Sequence, residues 1–166
     1  GGARQRFRVC AALQMASLGM PVIYYGEEVA RGGHEWPLNR NDMPWGARDI
    51  APGQGVARDE AMRSFYKQLI QVRKERPALR RGSYQLLTQP QDAVLAFARR
   101  DAASGDTVVV LANRDDQPVA ADIAAPAGWP ASARDLLGSE TVATSEGRIK
   151  LTLAPKSVRF LAPNPN

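Results

Sequence analysis

Apolar positions along this chain change their spacing twice. Phe7, Cys10, Ala11, Met15 and Leu18 fall at helical intervals, and Val9, Ala12, Leu13 and Ala16 fill the other faces. That pattern predicts a helix over residues 4–18, apolar nearly all round and largely buried. Gly19 stands where a left-handed C-terminal cap belongs, and Pro21 bars continuation of the helix. The next run, Met20-Pro21-Val22-Ile23-Tyr24-Tyr25, is apolar without alternation and rich in β-branched and aromatic residues. It predicts a strand over 20–25 buried on both faces. The run stops at Gly26, followed by Glu27 and Glu28, and a long polar and aromatic loop over 32–55 comes next. Asp59 and Glu60 then open a second, amphipathic helix, in which Met62, Phe65, Tyr66, Leu69, Ile70 and Arg73 recur at helical spacing until Pro77 closes it.

Past Pro77 the period shortens. Segments 83–88, 93–99, 107–113, 119–124, 133–137, 148–153 and 157–162 have β character, with Gly, Pro, Asn and Asp between them. Repeated short strands with turn signals predict an antiparallel β-sandwich over 78–166. The first part, 1–77, holds helix, strand, loop and helix and nothing more. A strand buried on both faces needs neighbours to take its backbone hydrogen bonds, and none precedes it. The economical reading is that the chain is the C-terminal part of a larger α/β protein. Its opening Gly1-Gly2-Ala3-Arg4 carries neither the charged start nor the apolar core of a signal peptide, and the natural N-terminus is expected upstream.

With 44% hydrophobic residues in 166, the composition is that of a packed chain and not of a disordered one. No apolar stretch approaches the roughly 20 residues that a membrane helix needs, so no membrane span is expected. A net charge of +5 raises the question of nucleic acid, which binds clustered Lys and Arg. The cluster Arg73, Lys74, Arg76, Arg80 and Arg81 sits at a helix end, where cations meet the negative end of the dipole, and reads as a solvated helix end. No nucleic-acid partner is expected. One cysteine and one histidine exclude an internal disulfide and are too few for a zinc site of known spacing. Cys10 is expected in the core, and no metal or other cofactor is expected.

Three stretches, in order, carry a family resemblance. "GMPVIYYGEE" resembles the G-x-P-x-I-Y-Y-G-[DE]-E motif on the eighth barrel strand of the α-amylase superfamily, glycoside hydrolase family 13. "GGHEWPLNRNDMPWG" is similar to that family's loop after the strand, and within the family looks most like neopullulanases, cyclomaltodextrinases and maltogenic amylases. "FYKQLIQVRKERPALRRGSY" resembles the last barrel helix and its exit. Together they run from Gly19 to Tyr84. The resemblance implies the end of a (β/α)8 TIM barrel over 1–77, followed by an antiparallel β-sandwich C-terminal domain over 78–166. It implies a retaining glycosidase acting on an α-glucan or maltooligosaccharide. Such chemistry uses two carboxylates about 5–5.5 Å apart. In the family the nucleophile, the acid/base and a third aspartate come from strands four, five and seven, all upstream of Gly1. The chain is therefore expected to carry no catalytic residue, to need the N-terminal part of its own barrel, and to be inactive alone.

Glu27 and Glu28 are not the missing pair, because adjacent residues at a strand end point to opposite sides. The family reading makes them structural, or groups that orient neighbouring basic side chains at the barrel rim. Arg40 matches the family arginine that hydrogen-bonds a glucose on the non-reducing side of the cleavage point, where a planar fork suits paired hydroxyls. The family usually places an aspartate four residues before that arginine. Here Trp36 stands there, with Glu35 one residue earlier as the candidate acidic partner. Trp36 either stacks on a sugar face or covers the barrel rim. Trp45 reads as a packing residue, and the loop's His34 as solvated. A structural or carbohydrate-binding module that retained the motifs is the alternative to an enzyme, and a basic nucleic-acid binder is a more distant one.

Overall fold

The computed structural model of the protein describes residues 2–32, 35–41, 43–44, 58–89 and 92–164. The chain divides into two compact units, one of Gly1–Met20 with Leu69–Asn166 and one of Pro21–Gln68.

The larger unit is built on β-structure. Helix α1 (Gly2–Ala16) opens it, and α3 (Pro77–Arg81) precedes strands β1 (Ser83–Leu86), β2 (Val94–Arg100), β3 (Thr107–Asn113), β4 (Val119–Ala124), β5 (Ser132–Asp135), β6 (Thr141–Ser145), β7 (Arg148–Leu153) and β8 (Ser157–Pro163). All pairings are antiparallel, as the short strands and turn residues led us to expect. The sandwich expectation is refined: the strands form one continuous sheet in the order β1-β2-β3-β8-β5-β6-β7-β4, which curls until β4 touches β2. Inside the curl, Ala96 and Ala98 of β2, Val109 and Leu111 of β3, Ile123 of β4, Ile149 and Leu153 of β7 and Leu161 of β8 make one apolar core. Each such side chain, fully buried, contributes roughly 1.5–3 kcal/mol for the larger ones.

β4 alternates between exposed and buried positions, as a strand with one wet face must, whereas β3 is buried along nearly its whole length. The difference comes from the helices. α1 packs on β8, and α3 on β2 and β3, so the second face of the central strands is covered as well. That face carries Phe97, which pairs with Val110, which pairs in turn with Phe160. Arg99 lies on the same side of β2, two residues along, and is 1% exposed. Its Nε donates to the Ser83 carbonyl and Nη2 to the Gly82 carbonyl, both at 2.9 Å, while Nη1 donates to the Ala16 carbonyl at the end of α1.

Two readings of this unit need correction. Helix α1 is not buried all round: Val9, Ala11, Ala12, Met15 and Ala16 are, but Cys10 is exposed, because only one face of the helix meets the sheet. The basic cluster is not simply solvated either. Arg73 donates to the carbonyls of Met15, Ser17 and Gly19, Arg76 pairs with Asp106 at 2.5 Å and Arg81 with Asp101 at 2.9 Å. Three of its five cations are thus tied to acceptors within the chain.

The smaller unit begins at Pro21, and residues 20–24 form no strand. Val22 is 73% and Tyr24 51% exposed, against the expected burial on both faces. The expectation rested on composition, but a strand also needs a paired neighbour on at least one edge, and among the described residues no strand pairs with the segment. The unit closes on the first turns of α2 (Glu60–Glu75), which starts where the sequence placed it and is capped by Asp59, with the Met62 amide donating to Asp59 Oδ1 at 2.9 Å.

Candidate functional site

The candidate residues lie in the Pro21–Gln68 unit, and local chemistry explains how its loop is held. Tyr25 and Gly26 turn the chain into a single 3-10 turn, Glu27–Val29. Gly26 has φ +92°, and a Cβ there would meet Arg31 Cβ and Nε at 2.8 Å, so glycine is required twice over. The two carboxylates fold back on their own turn: Glu27 Oε2 accepts from the Tyr24 amide at 3.3 Å and Glu28 Oε2 from the Gly26 amide at 2.9 Å. These bonds put both acids to structural use. Val29 is buried at 2% exposure, and its carbonyl takes the Asp59 amide at 3.2 Å, which ties the loop to the start of α2.

A second 3-10 turn, Leu38–Arg40, carries the candidate arginine. The Arg40 guanidinium lies 5.2 Å from the Trp36 ring centroid, over its face, and Trp36 is 72% exposed. The two residues that the sequence singled out separately therefore meet as a cation–π pair. Glu35 is exposed beside them and contributes its main-chain carbonyl, which accepts the Asn39 amide at 2.9 Å. The turn is braced from behind by Arg31. Its Nη1 donates to the Leu38 carbonyl at 3.2 Å and its Nη2 to the Asn39 carbonyl at 2.7 Å, and its guanidinium covers the Tyr25 ring at 4.5 Å. The Tyr25 hydroxyl donates to the Asn41 carbonyl at 3.1 Å. Neither Arg31 nor Tyr25 was marked by the sequence as part of a site, because their partners are backbone carbonyls, which leave no pattern. His34 and Trp45 lie outside the described residues.

The arrangement offers an exposed indole and a planar guanidinium side by side on one loop. Flat apolar faces beside a forked donor suit ligands that have both ring faces and hydroxyl edges. Among the described residues no group of three His, Cys, Asp or Glu side chains is placed to hold a metal ion.

Comparison with known proteins agrees with this architecture. Residues 84–160 match the family model "Maltogenic Amylase, C-terminal domain". The chain is similar to amylopullulanase of Thermoanaerobacter thermohydrosulfuricus, 30% identical over 155 residues that cover 87% of this chain and 10% of that protein. It is equally similar to neopullulanase 2 of Thermoactinomyces vulgaris, 30% identical over 93% of this chain and 25% of that protein. It thus spans a quarter or less of the length of these curated relatives. The crystal structure of an Anoxybacillus α-amylase shares its fold, with a TM-score of 0.79 over 98% of this chain and 33% of that one, at 23% identity. The chain belongs to the α-amylase superfamily, glycoside hydrolase family 13, and its strand-rich part is the C-terminal domain of that family.

Proposed function

We propose that this chain is the C-terminal portion of a retaining glycosidase that cleaves α-glucosidic bonds of starch-derived oligosaccharides. Residues 1–77 complete a (β/α)8 catalytic barrel, and 78–166 form the domain that follows it. The observation that carries the reading is the kinship with an amylopullulanase and a neopullulanase over most of the chain, across both the loop and the sheet.

In this reading the two carboxylates of the retaining reaction come from the rest of the barrel, since Glu27 and Glu28 each commit an oxygen to their own backbone. Residues 20–25 become the last barrel strand once neighbouring strands pair with it, which accounts for an apolar run left exposed here. The loop that follows sits at the C-terminal end of that strand, where barrel enzymes bind substrate. Arg40 donates to vicinal sugar hydroxyls, Trp36 presents the ring face that Arg40 leaves open, and Glu35 supplies an acceptor on the same turn.

The test is Arg40→Ala in the full-length protein. Loss of a charge-assisted hydrogen bond costs roughly 1.5–3 kcal/mol, or about ten- to a hundredfold in kcat/KM for maltotriose. A substrate that leaves that position empty should be little affected. An unchanged kcat/KM for maltotriose removes Arg40 from the site.

A further inference from the structure

We infer that Arg31 is a positioning residue, whose guanidinium bridges the carbonyls of Leu38 and Asn39 and so fixes the turn that presents Arg40. The inference rests on the reading of Arg40 as a sugar-binding residue. It starts from an inventory of what holds Leu38–Arg40. The turn's own bonds are few: Asn39 N to the Glu35 carbonyl and Arg40 N to the Pro37 carbonyl, both at 2.9 Å, and a long one, Asn41 N to the Leu38 carbonyl at 3.4 Å. Such a short 3-10 piece is weak by itself. Arg40, Leu38 and Trp36 are exposed, so burial adds little. The two Arg31 bonds, at 3.2 and 2.7 Å, are charge-assisted and fall on consecutive carbonyls, a geometry that fits the forked guanidinium and not a point charge.

Arg31 is itself held. The Tyr25 ring lies under its guanidinium at 4.5 Å, and the missing side chain of Gly26 leaves room for its stem. Tyr25 also reaches past it to the Asn41 carbonyl. Turn residues 38, 39 and 41 are therefore all gripped from the Tyr25–Arg31 side, and residue 40 alone is left to point its side chain elsewhere. A misplacement on the order of 1 Å at a substrate-holding group costs up to roughly a hundredfold in rate, so a brace of this kind acts on function without touching the ligand.

The test is a double-mutant cycle in the full-length protein, with kcat and KM for maltotriose and amide hydrogen exchange of residues 39–41 as readouts. Arg31→Met, which keeps the length of the stem and removes the donors, should raise KM about tenfold with kcat nearly unchanged, and should speed exchange at 39–41. Arg31→Lys restores charge but reaches one carbonyl at a time, and should fall between. In an Arg40→Ala background Arg31→Met should change KM less than twofold, because its route to the sugar is gone. A tenfold effect in both backgrounds, unchanged exchange at 39–41, or a full rescue by lysine overturns the inference. Arg40→Ala without effect overturns the functional reading instead, and the inference with it. The exchange measurement then still reports whether Arg31 holds the turn.

Discussion

Arg99 is a buried cation whose three acceptors are all neutral carbonyls, those of Ser83, Gly82 and Ala16. Burial first, and then the neighbouring Arg73 guanidinium, pushes its pKa below the usual arginine value. It stays charged nonetheless, since arginine is not deprotonated in proteins. Three hydrogen bonds from a charged donor give at most about 4.5–9 kcal/mol, net of the water bonds they replace. Desolvating the guanidinium costs several kcal/mol against that. Arg99→Met removes the charge and its cost together, but leaves three carbonyls without donors at about 1–3 kcal/mol each, partly met by water. We expect a net loss of about 3 kcal/mol, the low end of what three carbonyls left without donors cost at about 1–3 kcal/mol each. Urea unfolding followed by far-ultraviolet circular dichroism should show a lower midpoint with an unchanged slope. Arg99→Lys should lose less, because an ammonium at that depth satisfies one or two of the three acceptors. A methionine variant within 0.5 kcal/mol of the wild type would refute the view that this arginine joins the end of α1 to the sheet.

Other consequences are open to measurement. Hydrogen bonds from Arg81 and Ser104 hold the Asp101 carboxyl at about 2, against an ordinary value of 3.8. Its contribution to stability is therefore full above pH 3.8 and lost as pH falls through about 2. In Arg81→Gln the carboxyl should titrate nearer its ordinary value by carbon-13 NMR, and an unmoved midpoint would deny Arg81 that role. Gly26→Ala forces an alanine into φ +92° and against Arg31, so it should loosen residues 26–31 and 38–41 together in hydrogen exchange. Exchange confined to the substitution site would argue against the brace. In the chain as it stands, amides of 22–25 should exchange much faster than those of 108–111, which pair within the central strand β3. Equal protection in a verified monomer would mean that 20–25 finds its partners without further strands.

What the sequence disclosed, and what it hid, follows from where each signal resides. The strands of the sheet were legible, since β-branched runs bounded by turn residues carry their own evidence, as in Thr107–Asn113. β6 (Thr141–Ser145) was missed, because its side chains are small and mostly polar and it is nowhere fully buried. Residues 20–25 were read as a buried strand because apolar composition reports what a segment needs, not what this chain supplies. Arg40 was found through a motif and Trp36 as a departure from it; that their side chains meet is a feature of the fold that the sequence did not announce. Arg31 and Arg99 escaped notice, and Arg73 was read only as part of a solvated cluster, for one shared reason. Each acts on backbone carbonyls brought near by the fold, and no residue type or spacing announces such acceptors.

The central claim, that the chain completes a retaining α-glucan hydrolase, is tested most directly by the configuration of the first product. The full-length protein should be mixed with maltotriose and the released reducing ends followed by proton NMR before mutarotation equalises the anomers. Retention through a double displacement requires the α-anomer to appear first. Initial release of the β-anomer, or no release above a buffer blank from maltotriose or pullulan, would contradict it.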